Sequence, residues 1–483
     1  MLQHSNNEGS MSFGVERIIQ FGEGNFLRAF VDWMVQEMND NAGFDSRVVV
    51  VQPIKTGMIE KLNKQNCKYH VVLKGIKNGQ ALKEIKLNSA ISKGIDPFTN
   101  YQEYLKLAEI PSMRFIISNT TEAGIAFNEN DTFEMQPPTS FPAKLTQLLY
   151  HRFEYFKGEI DKGFIILPCE LIENNAVELK KCIEKYCHLW NLPLTFVEWL
   201  EKGNIFCNTL VDRIVPGFSK DTAKELADTM QKEDNLCVDA EQFHLWVIEG
   251  PQWIKNELPT EKANLNVLYV SDVNPYRTRK VRLLNGPHTM MTPVAYLSGI
   301  EFVREALEHP VIGKFITQTI DKEIIPTVDL PTDELKSFAA EVLDRFRNPF
   351  VNHALMSISL NSISKFKSRL LPTLLDYNKK FNKLPENIVF SLAALITFYK
   401  GEYNGKTIAV QDDVSVLSFF ANIWKQYSGE KTEMNDIVQQ TLKNKTFWGV
   451  DLTEVKNLEE KTAHYLQRIK EVGMLKALEE VIK

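Results

Sequence analysis

The stretch Ile18–Ile19–Gln20–Phe21–Gly22–Glu23–Gly24–Asn25–Phe26–Leu27–Arg28–Ala29 decides the fold. A short apolar run, Arg17 to Phe21, enters a glycine turn. Beyond it Leu27, Phe30, Val31, Met34 and Met38 recur at the spacing of one buried helix face. Strand, glycine turn and amphipathic helix together form a unit that can hold a pyrophosphate. The helix N-terminus points backbone N–H groups and the positive end of its dipole at the anion. Gly22 permits the tight turn, and Gly24 lets the backbone approach the phosphates. The candidate cofactor segment is therefore Ile19, Gln20, Phe21, Gly22, Gly24 and Asn25. Two parts of the dinucleotide fingerprint are missing. Leu27 stands where a third glycine is expected, and Val51 is followed by Gln52–Pro53 rather than by a ribose-binding acid. The turn by itself admits a plain βα connection, and with Lys55 near Gln52 it does not separate NAD from NADP.

Working outward, β-branched or apolar runs recur at Arg47–Val51, Phe115–Ile117 and Phe164–Leu167, with helical patterns between them. That alternation predicts a parallel sheet with helices on its faces. Ser118–Asn119–Thr120–Thr121–Glu122–Ala123–Gly124 follows one of these strands. Loops at the carboxyl ends of parallel strands bind ligands, so Ser118 and Asn119 join the cofactor candidates. The plainer reading is an N-cap for the next helix. After about Asn274 such runs largely vanish. Helical patterns dominate, as in Thr332–Arg347, Leu384–Lys400 and Asp451–Lys483. The expected organisation is a Rossmann-type α/β domain over residues 1–274 and a mainly α-helical substrate and catalytic domain over 275–483.

Composition narrows the function classes. The chain of 483 residues is 44% hydrophobic, enough for a sizeable core, and carries a formal net charge of −6. Mild acidity gives no support for a nucleic-acid partner. The polar start MLQHSNNEGS lacks the basic and apolar regions of a secretory signal. Ile388–Tyr399, among the longest apolar runs, falls short of the roughly 20 residues that span a bilayer. The six cysteines form no CxxC pair, which argues against a zinc site or a disulfide framework and suits a reducing cytosol. A cytoplasmic protein without membrane partners is expected. The oligomeric state is not legible.

A second constellation is Arg277–Thr278–Arg279–Lys280–Val281–Arg282–Leu283–Leu284–Asn285–Gly286–Pro287–His288. On a regular α-helix His288 and Asn285 would project about 80° and 140° from Lys280. A dehydrogenase without a metal needs a proton-transfer group, a donor for the developing alkoxide and a residue that orients the substrate. Lys280 can fill the first role if burial and the cations Arg277, Arg279 and Arg282 lower its pKa. Asn285 can fill the second and His288 the third. On spacing alone, a solvated basic face with one satisfied histidine is the commoner arrangement. Asp212 and Arg213, embedded in Leu210–Pro216, read either as a structural ion pair or as a substrate-site acid. Arg345, Arg347 and Asn348 close a predicted helix, where cations suit the dipole or a forked guanidinium captures a carboxylate.

Taken together, IIQFGEGNFLRAFVDW (18–33), SNTTEAGI (118–125), KGFIILPCELI (162–172), TLVDRIV (209–215), RKVRLLNGPH (279–288), RFRNP (345–349), FYKGEYNG and VQDD (within 398–413) resemble the polyol-specific long-chain dehydrogenases, the mannitol dehydrogenase family. The resemblance runs from about residue 15 nearly to the end. It implies an N-terminal Rossmann-type domain, a C-terminal helical domain and an active site between them, with NAD as cofactor and no catalytic metal. It also implies catalytic roles for Lys280, Asn285 and His288, and places Asp212 and Arg345 in the substrate site. Three departures stand out. Leu171 replaces the family's second oxyanion asparagine, and Asn174 or Asn175 is a possible substitute. Pro287 precedes the histidine and is expected to bend its helix. Arg347 stands where polyol enzymes carry a small residue, and a second guanidinium there suits a sugar-acid carboxylate. The competing readings are another dehydrogenase of the same family, either a fructuronate reductase or a mannitol or arabinitol dehydrogenase, and a nicotinamide-binding sensor without turnover.

Overall fold

A computed structural model describes residues 3–4, 14–77, 80–121, 123–230, 233–426 and 431–482. Most of the polar leader, and Glu122 of the SNTTEAGI motif, lie outside the described residues. The chain forms two compact units. One comprises Met1–Gly75 and Leu82–Val273, the other Ile76–Ala81 and Asn274–Lys483.

The first unit is built on a six-stranded sheet whose paired strands all run parallel. Across the sheet lie Ile91–Ile95, Ser46–Val51, Val15–Phe21, Phe115–Ser118, Ile165–Pro168 and Ile205–Phe206. Numbered along the chain this is the order 3-2-1-4-5-6, the doubly wound arrangement that reverses direction beside its first strand. The apolar runs become strands because both of their faces are covered. Ile18, Val48, Val50, Phe115 and Ile117 enter one core, whereas Ile19, Val49, Val51 and Ile116 enter the other. Alternate residues point to opposite faces, so a sheet buried on both sides reads as an unbroken β-branched run.

Leu27, Phe30, Val31, Met34 and Met38 are all buried, as their spacing predicts. Fully burying such a side chain contributes about 1.5–3 kcal/mol. The helix is nevertheless interrupted, running Asn25–Arg28 and then Val31–Ala42. Side chains distant in sequence have taken the carbonyls between. Tyr69 donates its hydroxyl to the Arg28 carbonyl (2.9 Å), and Arg213 donates Nη1 to the Ala29 carbonyl (2.8 Å). The unit also holds a four-stranded sheet and a three-stranded one. The latter pairs Asn208–Asp212 antiparallel to Leu245–Glu249, which runs parallel to Val267–Val270.

The second unit is mainly helical, with one small hairpin of Glu402–Tyr403 and Lys406–Thr407. The helix Glu386–Phe398 is apolar on nearly all sides and correspondingly buried. Thr332–Phe346 is helical as expected, with Arg347 at its C-cap. The single helix expected over Asp451–Lys483 is a correction. It divides into a 3-10 turn at Leu452–Glu454 and helices Leu458–Val472 and Met474–Val481. Asn457 and Gly473 adopt φ of +64° and +85°, backbone that no helix can continue through. No described helix is long and apolar enough to cross a membrane.

Candidate active site

The glycine turn sits at the carboxyl end of the first strand, where the strand order reverses. Gly22 has φ +119°, and a Cβ there would fall 2.9 Å from the Asn119 carbonyl oxygen. The two turns press together at the switch point, which requires glycine on one side. Gly24 is the opposite case. It is exposed, and nothing lies within 4 Å of the position its Cβ would take. That open backbone at the helix N-cap fits a cofactor pyrophosphate. Ile19 and Phe21 bury their side chains in the core. Buried Gln20 donates Nε2 to the Gly22 carbonyl (3.0 Å) and to Asp32 Oδ2 (3.2 Å), holding the turn from beneath. Burial pushes the Asp32 carboxyl up to about 7. Asn25 is exposed and accepts from Arg28 Nη2 (2.6 Å). Gly22→Ala is expected to cost about 1–3 kcal/mol of stability and to weaken NADH binding. Thermal unfolding and a fluorescence titration would check both, and an unchanged melting temperature would show that Gly22 is unconstrained.

Ser118 and Asn119 are not N-caps. The next helix, Phe141–Tyr155, is capped instead by Ser140. Ser118 Oγ donates to Glu170 Oε2 (3.0 Å), Thr120 N–H to Glu170 Oε1 (3.0 Å), and Asn119 Nδ2 to the Cys169 carbonyl (2.7 Å). Buried Glu170, which sequence reasoning passed over, thus ties this loop to the adjoining strand. Burial raises its carboxyl above the usual range. Asn175 is no free oxyanion donor. It is fully buried, donates Nδ2 to the Pro168 carbonyl (2.9 Å) and accepts from Thr209 N–H (2.9 Å). Asn174 is exposed at the N-cap of that helix, and Leu171 is 62% exposed.

The acid missing after the second strand has a counterpart from the turn itself. A Cβ on Gly57 would fall 2.1 Å from Glu23 Oε1 and 2.3 Å from Gln52 Oε1. Glu23 therefore brings a carboxylate beside Gln52, where the ribose acid is expected. It accepts from Met58 N–H (3.2 Å), and burial raises its carboxyl above the usual range. Asp212 is buried at the end of its strand. The Asp212–Arg213 ion pair does not form. Arg213 points the other way, donating to the Ala29 and Glu241 carbonyls and stacking on Trp33 at 4.1 Å. Neighbouring strand residues face opposite sides, which is why the pair reads well in sequence and fails in space.

In the second unit Lys280 ends the helix Asn274–Lys280, a π-helical turn spans Val281–Asn285, and Gly286–Leu297 continues as α-helix. Pro287 is thus absorbed without ending the helix. It has no N–H for the Leu283 carbonyl, and the wider turn just before it relieves the clash. The wide turn has a second effect. Gly286 N–H bonds back to the Val281 carbonyl, five residues away. That extra residue per turn swings Asn285 from about 140° back toward the side of Lys280. π-turns of this kind recur at functional sites.

Arg279 and Arg282 do not form a solvated face. Arg279 is buried, bonded to Glu334 and stacked on Phe338, and Arg282 pairs with Asp376 at 2.6 Å. The Asn285 carboxamide makes no hydrogen bond to a described residue, which leaves its N–H groups available. His288 is enclosed rather than satisfied. Its Nε2 is buried without a partner, and its ring packs on Phe346 (4.2 Å) and His353 (5.1 Å). Burial first, then His353, Arg345 and Arg369, holds its pKa well below the usual histidine range, so the ring is neutral at pH 7. Arg345 is half-buried and close enough to act on His288, and Asn348 is buried. Arg347 is exposed and lies 3.5 Å from Asp344. Sequence reasoning missed His353 and Arg369, which carry no motif.

A doubly wound sheet with an open glycine turn, in a chain whose helical unit presents Lys280 and Asn285 across a π-turn, defines a class: the nicotinamide-dependent dehydrogenases. The mannitol dehydrogenase Rossmann domain matches residues 16–262, and the mannitol dehydrogenase C-terminal domain matches 272–470. The chain belongs to the mannitol dehydrogenase family. It is 48% identical to an altronate oxidoreductase of Bacillus subtilis (strain 168), covering 96% of this chain and 95% of that protein. It is 47% identical to one from Bacteroides thetaiotaomicron, covering 97% of each. Among solved structures, substrate-free D-sorbitol dehydrogenase superposes with a TM-score of 0.79 at 23% identity, covering 96% of this chain and 95% of the other. Pseudomonas fluorescens mannitol 2-dehydrogenase, solved with NAD and D-mannitol, superposes with 0.64 at 20%, covering 97% and 94%. These two show the shared fold.

Proposed function

We infer that this chain is an altronate oxidoreductase, interconverting D-altronate plus NAD with D-tagaturonate plus NADH. The observation that carries the reading is the similarity, over nearly the whole length, to proteins of that name. Bound NAD supplies the hydride chemistry at the ketone carbon. Lys280 as the ammonium donates the proton to the ketone oxygen, and as the neutral amine it takes the proton back in altronate oxidation. Asn285 donates a carboxamide N–H to the same oxygen as negative charge grows on it. Neutral His288 offers its unpartnered Nε2 to a substrate hydroxyl. Asp212, Arg345 and Asn348 complete the substrate set. Gly22, Gly24 and Asn25 hold the cofactor through backbone, with Ser118 and Asn119 shaping the opposite wall. The setting we propose is galacturonate catabolism in the cytoplasm.

The test is NADH consumption by the purified protein with chelator present, offering tagaturonate, fructuronate and fructose in parallel. Rapid turnover of tagaturonate alone supports the reading. Turnover of fructose would reassign the chain to the polyol dehydrogenases, and NADH binding without turnover of any of the three would favour a sensor. Glu23 offers a separate check on the cofactor. Glu23→Gln is expected to weaken NADH binding about tenfold while leaving NADPH binding unchanged or improved, because the carboxylate favours a ribose hydroxyl and repels a phosphate. Fluorescence titration reads this without turnover, and an unchanged ratio of the two dissociation constants would remove Glu23 from the cofactor site.

A further inference from the structure

The structure points to Arg369 as the anchor for the carboxylate of a sugar-acid substrate, a role we propose on the strength of an uncompensated guanidinium packed against the Asn285–Thr289 face. The inference rests on the sugar-acid reading above and names the residue that recognises the acid group.

Arg369 ends the helix Ser362–Arg369. Its backbone packs on the catalytic helix, with its carbonyl oxygen 3.5 Å from the position a Cβ on Gly286 would take. Its Nη1 donates to Thr289 Oγ1 (3.2 Å), and Thr289 Oγ1 donates to the Asn285 carbonyl (3.0 Å). The guanidinium is thus hooked to the helix one residue beyond His288 and one turn beyond Asn285.

Among the described residues the rest of the guanidinium has no partner. Of its five N–H donors one is used, and no carboxylate lies within ion-pair distance among the described residues. The charges that face it are of its own sign or neutral. Lys365 lies on the same helix, with Nζ bonded to the Ile358 carbonyl (2.8 Å), and Arg345 and His353 gather with it around His288. Burial alone depresses the Arg369 pKa, with no acid raising it. Asp412, the acid that acts on Lys365, is bonded to Tyr399. Charges drawn out of water are normally paired, and two other arginines of this unit follow the rule: buried Arg279 has Glu334 and half-buried Arg282 has Asp376, whereas Arg369 is itself half-buried. Arg369 breaks it, and an anionic ligand would restore it.

The spacing suits the substrate. Asn285 and Thr289 are one turn apart, about 6 Å along the axis. Four carbon–carbon bonds separate ketone and carboxylate carbons in tagaturonate, roughly 5 Å when extended. A ketone oxygen at Asn285 therefore leaves the carboxylate within reach of the guanidinium at Thr289, with the intervening hydroxyls beside His288. A planar fork suits that carboxylate better than a point charge.

The experiment uses the full chain and the variants R369Q, R369K and R347S, with tagaturonate kinetics and calorimetric binding of altronate and of altritol, which carries CH2OH in place of the carboxylate. For R369Q the KM for tagaturonate is expected to rise roughly 10- to 100-fold with a much smaller change in kcat. The preference for altronate over altritol should collapse, while the NADH dissociation constant stays put. R369K, which keeps the charge and loses the fork, is expected to raise KM about tenfold and serves if R369Q does not fold. Wild-type KM and altronate preference in either folded variant would overturn the proposal. So would a loss of preference that follows R347S instead. A wild-type protein inactive on tagaturonate would sink the functional reading itself, and with it the carboxylate that Arg369 is to hold.

Discussion

Lys280→Ala is expected to lower kcat in both directions by about 10²–10⁴, with NADH binding essentially unchanged. Lys280 is half-buried at the mouth of the π-turn, and the neighbouring Arg279 and Arg282 are each committed to a carboxylate. They are therefore unavailable as substitute proton donors, and an arginine is a poor acid at any physiological pH. Steady-state kinetics with tagaturonate across pH 5–10 would check this. Small primary amines should restore part of the rate that K280A loses. Turnover within a few-fold of wild type, with cofactor still bound, would rule Lys280 out as the acid/base.

The second large effect is Asn285→Ala, expected to cost about 10²–10³ in kcat. Its carboxamide bonds to no described residue, so its removal leaves no protein group orphaned. Stability should therefore change by no more than about 0.5 kcal/mol, the range of ordinary surface substitutions. That separation is the test. A drop in kcat at constant melting temperature assigns Asn285 to the developing oxyanion, whereas a parallel fall in both would make it a structural residue. Asn285→Asp should be worse than Ala, because it sets a negative charge where one is forming.

Much of the fold was legible because its signals are local. The runs Arg47–Val51 and Phe115–Ile117 became inner strands of the sheet, since a strand covered on both faces advertises itself as continuous β-branched sequence. The turn at Gly22 and Gly24 was legible because glycine there answers to backbone geometry: φ +119° in one case and open space in the other. The Asp451–Lys483 helix was read as too long because apolar periodicity carries across Gly473 without registering the turn. The Asp212–Arg213 pair was legible only as adjacency, which a strand turns into opposite directions.

The sequence by itself determined the strands at Arg17–Phe21, Arg47–Val51, Phe115–Ile117 and Phe164–Leu167, the glycine turn, and the spacing of Lys280, Asn285 and His288, because period, turn chemistry and spacing are properties of neighbours along the chain. Only the tertiary structure decided which side chains are already spent and which remain open. Asn175 is spent on Pro168 and Thr209, and Glu170 on Ser118 and Thr120. Glu23 reaches to Gln52, and Arg369 reaches Thr289 across 80 residues with its charge unanswered. Availability depends on burial and on partners brought together by packing, and a hydrogen bond between residues that far apart leaves no mark in the order of the amino acids.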